Sequence, residues 1–440
     1  MVSQSPLWSF INGSRPALIP CFLDRSKNAH LDVYIVSRQV KEVIAYINPH
    51  IDRLRSIHIE LGPDADNQFA ALRGLNAAPM LRRLNIECWG VLDPAHLRFT
   101  PGVIEPTPSL RHLQLFGIGV TPQLIQLRNL TFVSLDVSRS TLKVSLDLLS
   151  NNPLLRVVHL WGQHIGNFSD DDNHLPGSIN LPHLEVLMSE MIPLVHLEAL
   201  SPPRGARVYS GFVRGGSSNR GPGGSYTASF PIPTSFSNLR DLRKLYLVDR
   251  GETYVRLEGE DGSVTYCMYS SRPFTPGTFS GVPLEAVTDA TYEITPRHQL
   301  QAGLSISQPM VSRVICGMTR LQRLELSFCN AEQVEYFLLV LHSANVCKDL
   351  KFLVLSHCVD LHQQMRRLVT MSESRKAAGM GLDTVRIVHS DIKLLKDRFK
   401  QKDKDVARLK NAVGGLEYVE AEQGRTVWSS LRFDPNIGVA

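Results

Sequence analysis

The side chains able to do chemistry are scattered along this sequence of 440 residues and form no recognised catalytic motif. The zinc-protease pattern HExxH, the nucleophile pattern GxSxG and the phosphate-binding pattern GxxxxGK[ST] are all missing. His159 and His164 lie five residues apart, but His159 falls on the outward side of a predicted strand, which favours a surface histidine without a ligand. We therefore expect no enzyme active site and no cofactor.

Other polar clusters also favour simple structural roles. Asp170, Asp171 and Asp172 lack the alternating ligands and the closing glutamate of a calcium loop, so a solvated turn is expected. Two glycine clusters, at Arg214–Gly216 and Gly221–Gly224, lack the interleaved aromatic residues of RNA-binding tracts and predict a flexible loop. The seven cysteines include no CxxC pair, which predicts no metal site and fits a reducing compartment.

The dominant feature of the sequence is a six-residue pattern, here called the hexad, with aliphatic residues at its first, fourth and sixth positions. Most neighbouring hexads start 20 to 34 residues apart, which is the spacing of leucine-rich repeats. A degenerate eleventh copy is expected at Leu416. Only the copy at Leu184 has a polar residue, Ser189, in the sixth place. The ten clear copies start at Leu54, Leu81, Leu110, Leu130, Leu155, Leu184, Leu242, Leu321, Leu350 and Leu382.

Each hexad predicts a short strand whose first, fourth and sixth residues point inward and whose third, fifth and seventh residues point outward. One copy cannot bury three aliphatic side chains, so the copies must stack into a continuous core. Cysteine stands in the ninth place of two copies, which predicts that Cys329 and Cys358 are buried thiols. The expected fold is therefore α/β, a leucine-rich-repeat solenoid (horseshoe) with irregular repeats and a loop and hairpin insertion.

The hexads also divide the chain into segments. Wide gaps after Leu184 and Leu242 leave room for one or two unrecognised degenerate copies, and Ala331–Ala344 and Leu361–Ala377 have helical apolar spacing. The expected segments are an N-terminal capping segment (1–50), leucine-rich repeats (51–200), an irregular insertion with a hairpin (201–300), further repeats (301–425) and a tail (426–440).

Composition and charge narrow the range of partners. The net charge of +5 is small for this length and gives no argument for nucleic acid. No signal peptide and no apolar run of about 20 residues is visible, so we expect a cytoplasmic or nuclear protein with no membrane partner. The segment Asp391–Lys410 contains eight lysines and arginines and four aspartates. This pattern predicts either a solvated helical face or a basic docking patch.

Several longer segments resemble mushroom-type fungal F-box proteins along nearly the whole chain. The most specific is the opening PLWSFINGSRPALIPCFLDRSKNAHLDV, at Pro6–Val33. Further similar segments are LPHLEVL at Leu181–Leu187, VRLEGEDGSVTY at Val255–Tyr266, MSESRKAAGMGLDTVRIV at Met371–Val388 and DVARLKNAVGGLEYVE at Asp405–Glu420.

The resemblance implies a substrate receptor of a cullin-based ubiquitin ligase, in which an F-box holds the ligase adaptor and the repeats hold the target. The sequence begins at Met1 almost directly on the Pro-Leu-Trp segment, without the leucine-rich helical opening of an F-box. We therefore expect the adaptor to bind only if an F-box exists upstream, whereas target binding by the repeats does not depend on it.

Outward hexad positions provide the candidate partner-binding residues. Phe116, Trp161 and Met188 are predicted to be large, apolar and exposed, as in protein-binding hot spots. The alternative is that loops or the 201–236 segment cover them. The full candidate set is Gln114, Phe116, Asp136, His159, Trp161, Met188 and Glu190.

The leading hypothesis is a non-catalytic module that binds a protein target on its concave face. The second is a repeat scaffold with no link to ubiquitin ligase. A GTPase-activating role is a third class, but it needs a loop arginine or asparagine poised for a nucleotide, and the sequence identifies none.

Overall fold

The computed structural model describes residues 8–62, 72, 78–88, 108–137, 142–162, 178–190, 192, 197–212, 242–249, 253–259, 265–270, 279, 282–294, 308–343, 345–400 and 403–421. The fold is mixed α/β with mostly parallel strand pairing, which confirms the predicted class. The chain divides into two compact units, Met1–Ala206 and Arg207–Ala440.

The first unit is built on a parallel sheet in which successive strands along the chain are neighbours. Its strands are β1 (Phe10–Asn12), β2 (Leu31–Ile35), β3 (Leu54–Leu61), β4 (Arg83–Cys88), β5 (His112–Phe116), β6 (Phe132–Asp136), β7 (Val157–Trp161) and β9 (Val186–Glu190). A separate parallel pair joins β8 (Ile179–Asn180) to β10 (Leu200–Ser201). The α-helices of this unit are α1 (Ile19–Ser26), α2 (Val40–Ile47) and α3 (Leu142–Ser150). Short 3-10 helices occupy Pro16–Leu18, Ser37–Gln39, Asn48–Arg53 and Pro122–Gln126.

The second unit combines a parallel run of strands with an antiparallel hairpin. Its strands are β11 (Arg207–Phe212), β12 (Leu242–Asp249), β13 (Thr253–Gly259), β14 (Thr265–Ser270), β15 (Asp289–Ile294), β16 (Arg323–Ser327), β17 (Phe352–Ser356), β18 (Thr384–His389) and β19 (Gly415–Glu420). Strand β12 pairs in parallel with β15, and β15 to β19 each pair in parallel with the next strand along the chain. Strand β13 pairs antiparallel with both β12 and β14, and β11 pairs in parallel with β14. The α-helices are α4 (Gln308–Gly317), α5 (Ala331–His342), α6 (Leu361–Ala377), α7 (Ile392–Lys400) and α8 (Asp403–Ala412), with a 3-10 helix at Leu284–Ala286.

Strand register aligns the hexads. Val158 and Leu160 of β7 lie opposite the equivalent Val133 and Leu135 of β6, and the other parallel hexad pairs repeat this alignment. In all ten clear hexads the first, fourth and sixth side chains are at most 8% exposed. The predicted inward orientation is therefore confirmed, and apolar burial is the main stabilising term of each unit.

Several local predictions are confirmed. Strand β2 and helix α2 lie in the N-terminal capping segment (1–50), and β2 pairs in parallel with β3 with one register shift between Leu31 and Asp32. The predicted hairpin is the antiparallel pair of β13 and β14, and α5 and α6 occupy the predicted helices. One unrecognised hexad is also found, since Val287, Ala290 and Tyr292 are buried and β15 pairs in parallel between β12 and β16.

The hexad expected to start at Leu416 was placed three residues too late. Strand β19 sets Leu416 opposite Val385, which is a fourth hexad position, so the copy begins at Val413. Val413 is buried, and the Gly414 N–H donates to the Leu382 carbonyl at 3.0 Å. Tight packing explains the glycine, because a Cβ atom at Gly414 would lie 2.7 Å from the Asp383 carbonyl oxygen.

Two buried polar side chains connect neighbouring segments. Asn152 accepts the Leu130 N–H at 2.9 Å and donates to the Leu127 and Leu148 carbonyls at 3.1 and 2.8 Å. Arg375 of α6 is 1% exposed and donates to three backbone carbonyls at the end of α5 and in the following turn. A cation at a helix C-terminus also interacts favourably with the helix dipole.

Some predictions concern residues outside the described part. These are His164, the Asp170–Asp172 turn, the glycine clusters at Arg214–Gly216 and Gly221–Gly224, most of the 201–236 loop and the 426–440 tail. Across the part that the structure describes, no helix is both long and apolar enough to cross a membrane.

The hexad core predicts a large cost for truncating an inward leucine. Leu324→Ala should lower the free energy of unfolding by about 2–5 kcal/mol, because Leu324 is 1% exposed and its loss leaves a cavity. Urea denaturation followed by circular dichroism measures the change. Gln322→Ala, an exposed position of the same hexad, is the control and should change the value by less than about 0.5 kcal/mol. Equal effects of the two substitutions would contradict the inward assignment.

Candidate protein-interaction face

The outward side chains of the first unit are positioned by strands β2 to β7 and β9. We use "open face" for the third, fifth and seventh hexad positions of these strands. Because side chains alternate along each strand, burying the fourth and sixth positions forces the residues between them onto this side. Parallel register then places equivalent positions of neighbouring strands about 4.8 Å apart, close enough for side chains to touch across strands.

An aromatic group lies in the middle of the open face. The rings of Phe116 and Trp161 meet edge to face, with centroids 5.7 Å apart and an interplanar angle of 86°. The ring of His159 lies 4.1 Å from that of Trp161. The indole N–H of Trp161 donates to the Ser134 hydroxyl at 3.2 Å. Phe116, His159 and Trp161 are each partly exposed, so the structure brings three of the predicted residues together at the surface.

A hydrogen-bonded polar group adjoins these aromatic residues. Glu87 accepts hydrogen bonds from the side-chain amides of Asn85 and Gln114, at 3.2 and 3.3 Å. On the neighbouring strands the Tyr34 hydroxyl donates to Glu60 at 2.5 Å, and this hydrogen bond raises the pKa of Tyr34. The side chains on this part of the face are therefore fixed by one another.

Histidine and carboxylate side chains also lie close together at two places. The His58 Nε2 atom is 3.7 Å from the nearer carboxylate oxygen of Glu87. The His159 Nε2 atom is 3.6 Å from the carboxylate of Glu190. Both distances are longer than a hydrogen bond, so each carboxylate retains the capacity to accept further donors.

Two of the predicted contact residues are buried. Met188 was expected to be exposed but is 6% exposed, and it lies in register beside His159. Asp136 is fully buried, and its carboxylate accepts the Gly117 N–H at 3.2 Å. Gly117 has a φ of +68° in the turn after β5, and a Cβ atom there would lie 2.3 Å from the Cys88 carbonyl oxygen. Asp136 therefore stabilises a turn and does not present its carboxylate to a partner.

The sequence prediction also missed residues of the open face. Tyr34, His58, Asn85 and Glu87 all take part in it, and Ser134 anchors the indole of Trp161. Applying the outward-position rule to the hexads at Leu54 and Leu81 would have found three of these residues. Tyr34 precedes the first clear hexad, so its place depends on the pairing of β2 with β3.

The basic segment near the C-terminus forms helices α7 and α8, and several of its charges are paired. Arg408 forms an ion pair with Glu373 at 2.6 Å, Lys400 with Asp397 at 2.6 Å, and Arg398 lies 3.8 Å from Asp360. These exposed pairs contribute little to stability. Their presence favours a solvated helical face over a basic docking patch.

The described part of the chain contains no group of three or more histidine, cysteine, aspartate or glutamate side chains arranged to hold a metal ion. The predicted burial of Cys329 and Cys358 is confirmed, at 0% and 4% exposure. Burial raises the pKa of the Cys329 thiol and raises that of Cys347 to about 12, so neither thiol is an activated nucleophile.

Thiol labelling tests this arrangement. In the native chain iodoacetamide should modify the exposed Cys21 and Cys316 first, because the thiolate is the reactive form and burial suppresses it. Cys88, Cys267, Cys329, Cys347 and Cys358 should react only after unfolding in urea. Peptide mass spectrometry measures the extent at each site. Rapid native labelling of Cys347 would show that its surroundings are open to solvent.

Comparison with known proteins adds no family assignment. No model of a known protein family matches the chain, and no curated protein matches it.

Proposed function

We propose that the chain is a leucine-rich-repeat solenoid that binds a protein target, without catalysis, through the open face of its first unit. The observation that carries the proposal is the partly exposed aromatic group of Phe116, His159 and Trp161 beside the hydrogen-bonded polar side chains of Glu87 and Gln114. Tryptophan in such surroundings is among the most frequent residues in binding hot spots.

Fixed side-chain geometry supports the same role. Trp161 is held by Ser134, and Gln114 is held by Glu87, across the strands that carry them. Side chains already ordered before binding lose little conformational entropy when a partner arrives. A face built in this way is suited to recognise one target shape, whereas a flexible surface would adapt to many.

The resemblance to fungal F-box proteins supports a more specific proposal, in which the bound target is delivered to a ubiquitin ligase. The alternative is a scaffold that binds its target without any ligase. Both roles use the same open face, so they differ only in whether the ligase adaptor is recruited.

Replacing Trp161 tests the recognition role. Trp161→Ala should reduce capture of the cellular target at least about tenfold, because hot-spot residues contribute about 2 kcal/mol or more. Affinity capture with quantitative mass spectrometry measures the change against the wild-type chain.

Phe352→Ala is the matched control, because Phe352 is an aromatic residue of β17 that is 45% exposed. Thermal unfolding of both variants establishes that they fold. Equal capture by wild type and folded Trp161→Ala would remove Trp161 from the binding site and leave the proposal without its main support.

Adaptor recruitment separates the ligase role from the scaffold role. The gene product that includes any coding sequence upstream of Met1 should be mixed with the purified ligase adaptor. A stable complex on gel filtration is expected for a ligase receptor. Capture of the target without the adaptor would favour the scaffold.

A further inference from the structure

The seventh hexad positions of β3 to β7 and β9 form a line of side chains that we call the acidic–aromatic row. The row consists of Glu60, Glu87, Phe116, Asp136, Trp161 and Glu190, of which Asp136 is buried and does not reach the surface. Neither this row nor the parallel row of fifth positions contains a lysine or arginine within the described strands, although the whole chain has a net charge of +5. These two rows are therefore locally negative on a mildly basic protein, whereas the third-position row contains one arginine, the exposed Arg83 of β4.

Within the described part of the chain, two carboxylates of the row form no ion pair with a lysine or arginine, and each has only a histidine nearby. Glu87 is 17% exposed and accepts hydrogen bonds only from the neutral amides of Asn85 and Gln114. Glu190 is 22% exposed and has the His159 ring as its neighbour at 3.6 Å. A partly buried carboxylate without a counter-charge costs free energy, and a cationic partner would recover it.

The arrangement around Glu87 recurs around Glu190. In both places a histidine at a fifth position, His58 or His159, directs its Nε2 atom at the seventh-position carboxylate of the next strand. Both Nε2 atoms are buried and have no hydrogen-bond partner within the described residues. Two equivalent polar sites therefore flank the aromatic pair of Phe116 and Trp161.

The distance between the two sites defines the length of a matching ligand. Glu87 and Glu190 are four strand steps apart, which at ~4.8 Å a step is about 19 Å. An extended peptide advances ~3.3 Å per residue and points every second side chain the same way. Side chains six residues apart in such a peptide are thus about 20 Å apart and lie on one side.

We propose that the acidic–aromatic row binds an extended peptide segment of a partner protein with two arginine or lysine side chains six residues apart. Apolar side chains between them contact Phe116 and Trp161. This inference rests on the proposed function and specifies the chemistry of its target. Arginine fits best, because its guanidinium pairs with a carboxylate and also stacks on an aromatic ring.

Synthetic peptides test the inference directly. The probe is a labelled peptide Arg-Ala-Leu-Ala-Leu-Ala-Arg, and the comparison set varies the arginine spacing or replaces both arginines by glutamate or glutamine. Fluorescence anisotropy with the full chain should give the tightest binding at a spacing of six. The glutamine peptide should bind at least about tenfold more weakly, and raising the salt from about 50 mM to about 500 mM should weaken the arginine peptide.

Single substitutions in the chain test whether the peptide binds at the acidic–aromatic row. Glu87→Gln and Glu190→Gln should each weaken the arginine peptide about tenfold, and Trp161→Ala should weaken it by a similar factor. Glu185→Gln is the matched control, because Glu185 is an exposed glutamate paired with Arg156 at 2.6 Å and lies outside the row. It should leave the affinity within about twofold of wild type, and thermal unfolding shows that every variant is folded.

Each possible result decides the inference. Tight binding of the glutamate peptide, absence of binding by every peptide, or wild-type affinity of Glu87→Gln and Glu190→Gln would overturn it. If those results occur while capture of the cellular target still depends on Trp161, the recognition role stands and only the cationic ligand is wrong. If target capture is also independent of Trp161, the proposed function fails as well.

Discussion

In-register burial of hexad side chains is the constraint on which the rest of the structure depends. The fourth and sixth residues of one strand lie beside those of the next, so each buried leucine contacts its equivalents on either side. A single strand could not bury these side chains from solvent, and the stability of each copy therefore depends on its neighbours. Polar links add to this core where the backbone turns, as Asn152 and Arg375 do through their bonds to carbonyl groups.

The same constraint determines what the open face can contain. Once the register is set, outward residues from distant parts of the sequence are placed about 4.8 Å apart, whatever the lengths of the connections between strands. Trp161 reaches Ser134 and Glu87 reaches Gln114 for this reason, although each pair is separated by 27 residues in the sequence. Variation at outward positions changes the surface without changing the core, which is how one architecture can serve many targets.

The inward half of the fold could be predicted from the sequence, but the outward half could be predicted only in part. The buried positions of ten hexads could be predicted, because the spacing of their aliphatic residues indicates both the repeat period and the side of the strand that points inward. The copies at Val287 and Val413 were missed or misplaced, since Ala290 and Tyr292 in the first copy and Tyr418 in the second stand where larger aliphatic residues were sought. Met188 and Asp136 show a second limit. Alternation predicts the direction of a side chain, but its exposure depends on cross-strand neighbours, which the sequence does not specify.

Carboxylates such as Glu87 show how the requirements of stability oppose those of the proposed recognition role on this face. For folding alone, a lysine or arginine on a neighbouring strand would neutralise Glu87 and satisfy its oxygens together. Amides from Asn85 and Gln114 satisfy one oxygen and hold the carboxylate in place, but they leave its charge intact. Because hydrogen bonding and neutralisation are separate, a side chain can be fixed in position and still attract a cation. Burial of many equivalent leucines stabilises the core enough to tolerate this cost. A fixed charge without a lysine or arginine partner, near Phe116 and Trp161, is more useful for binding than for folding.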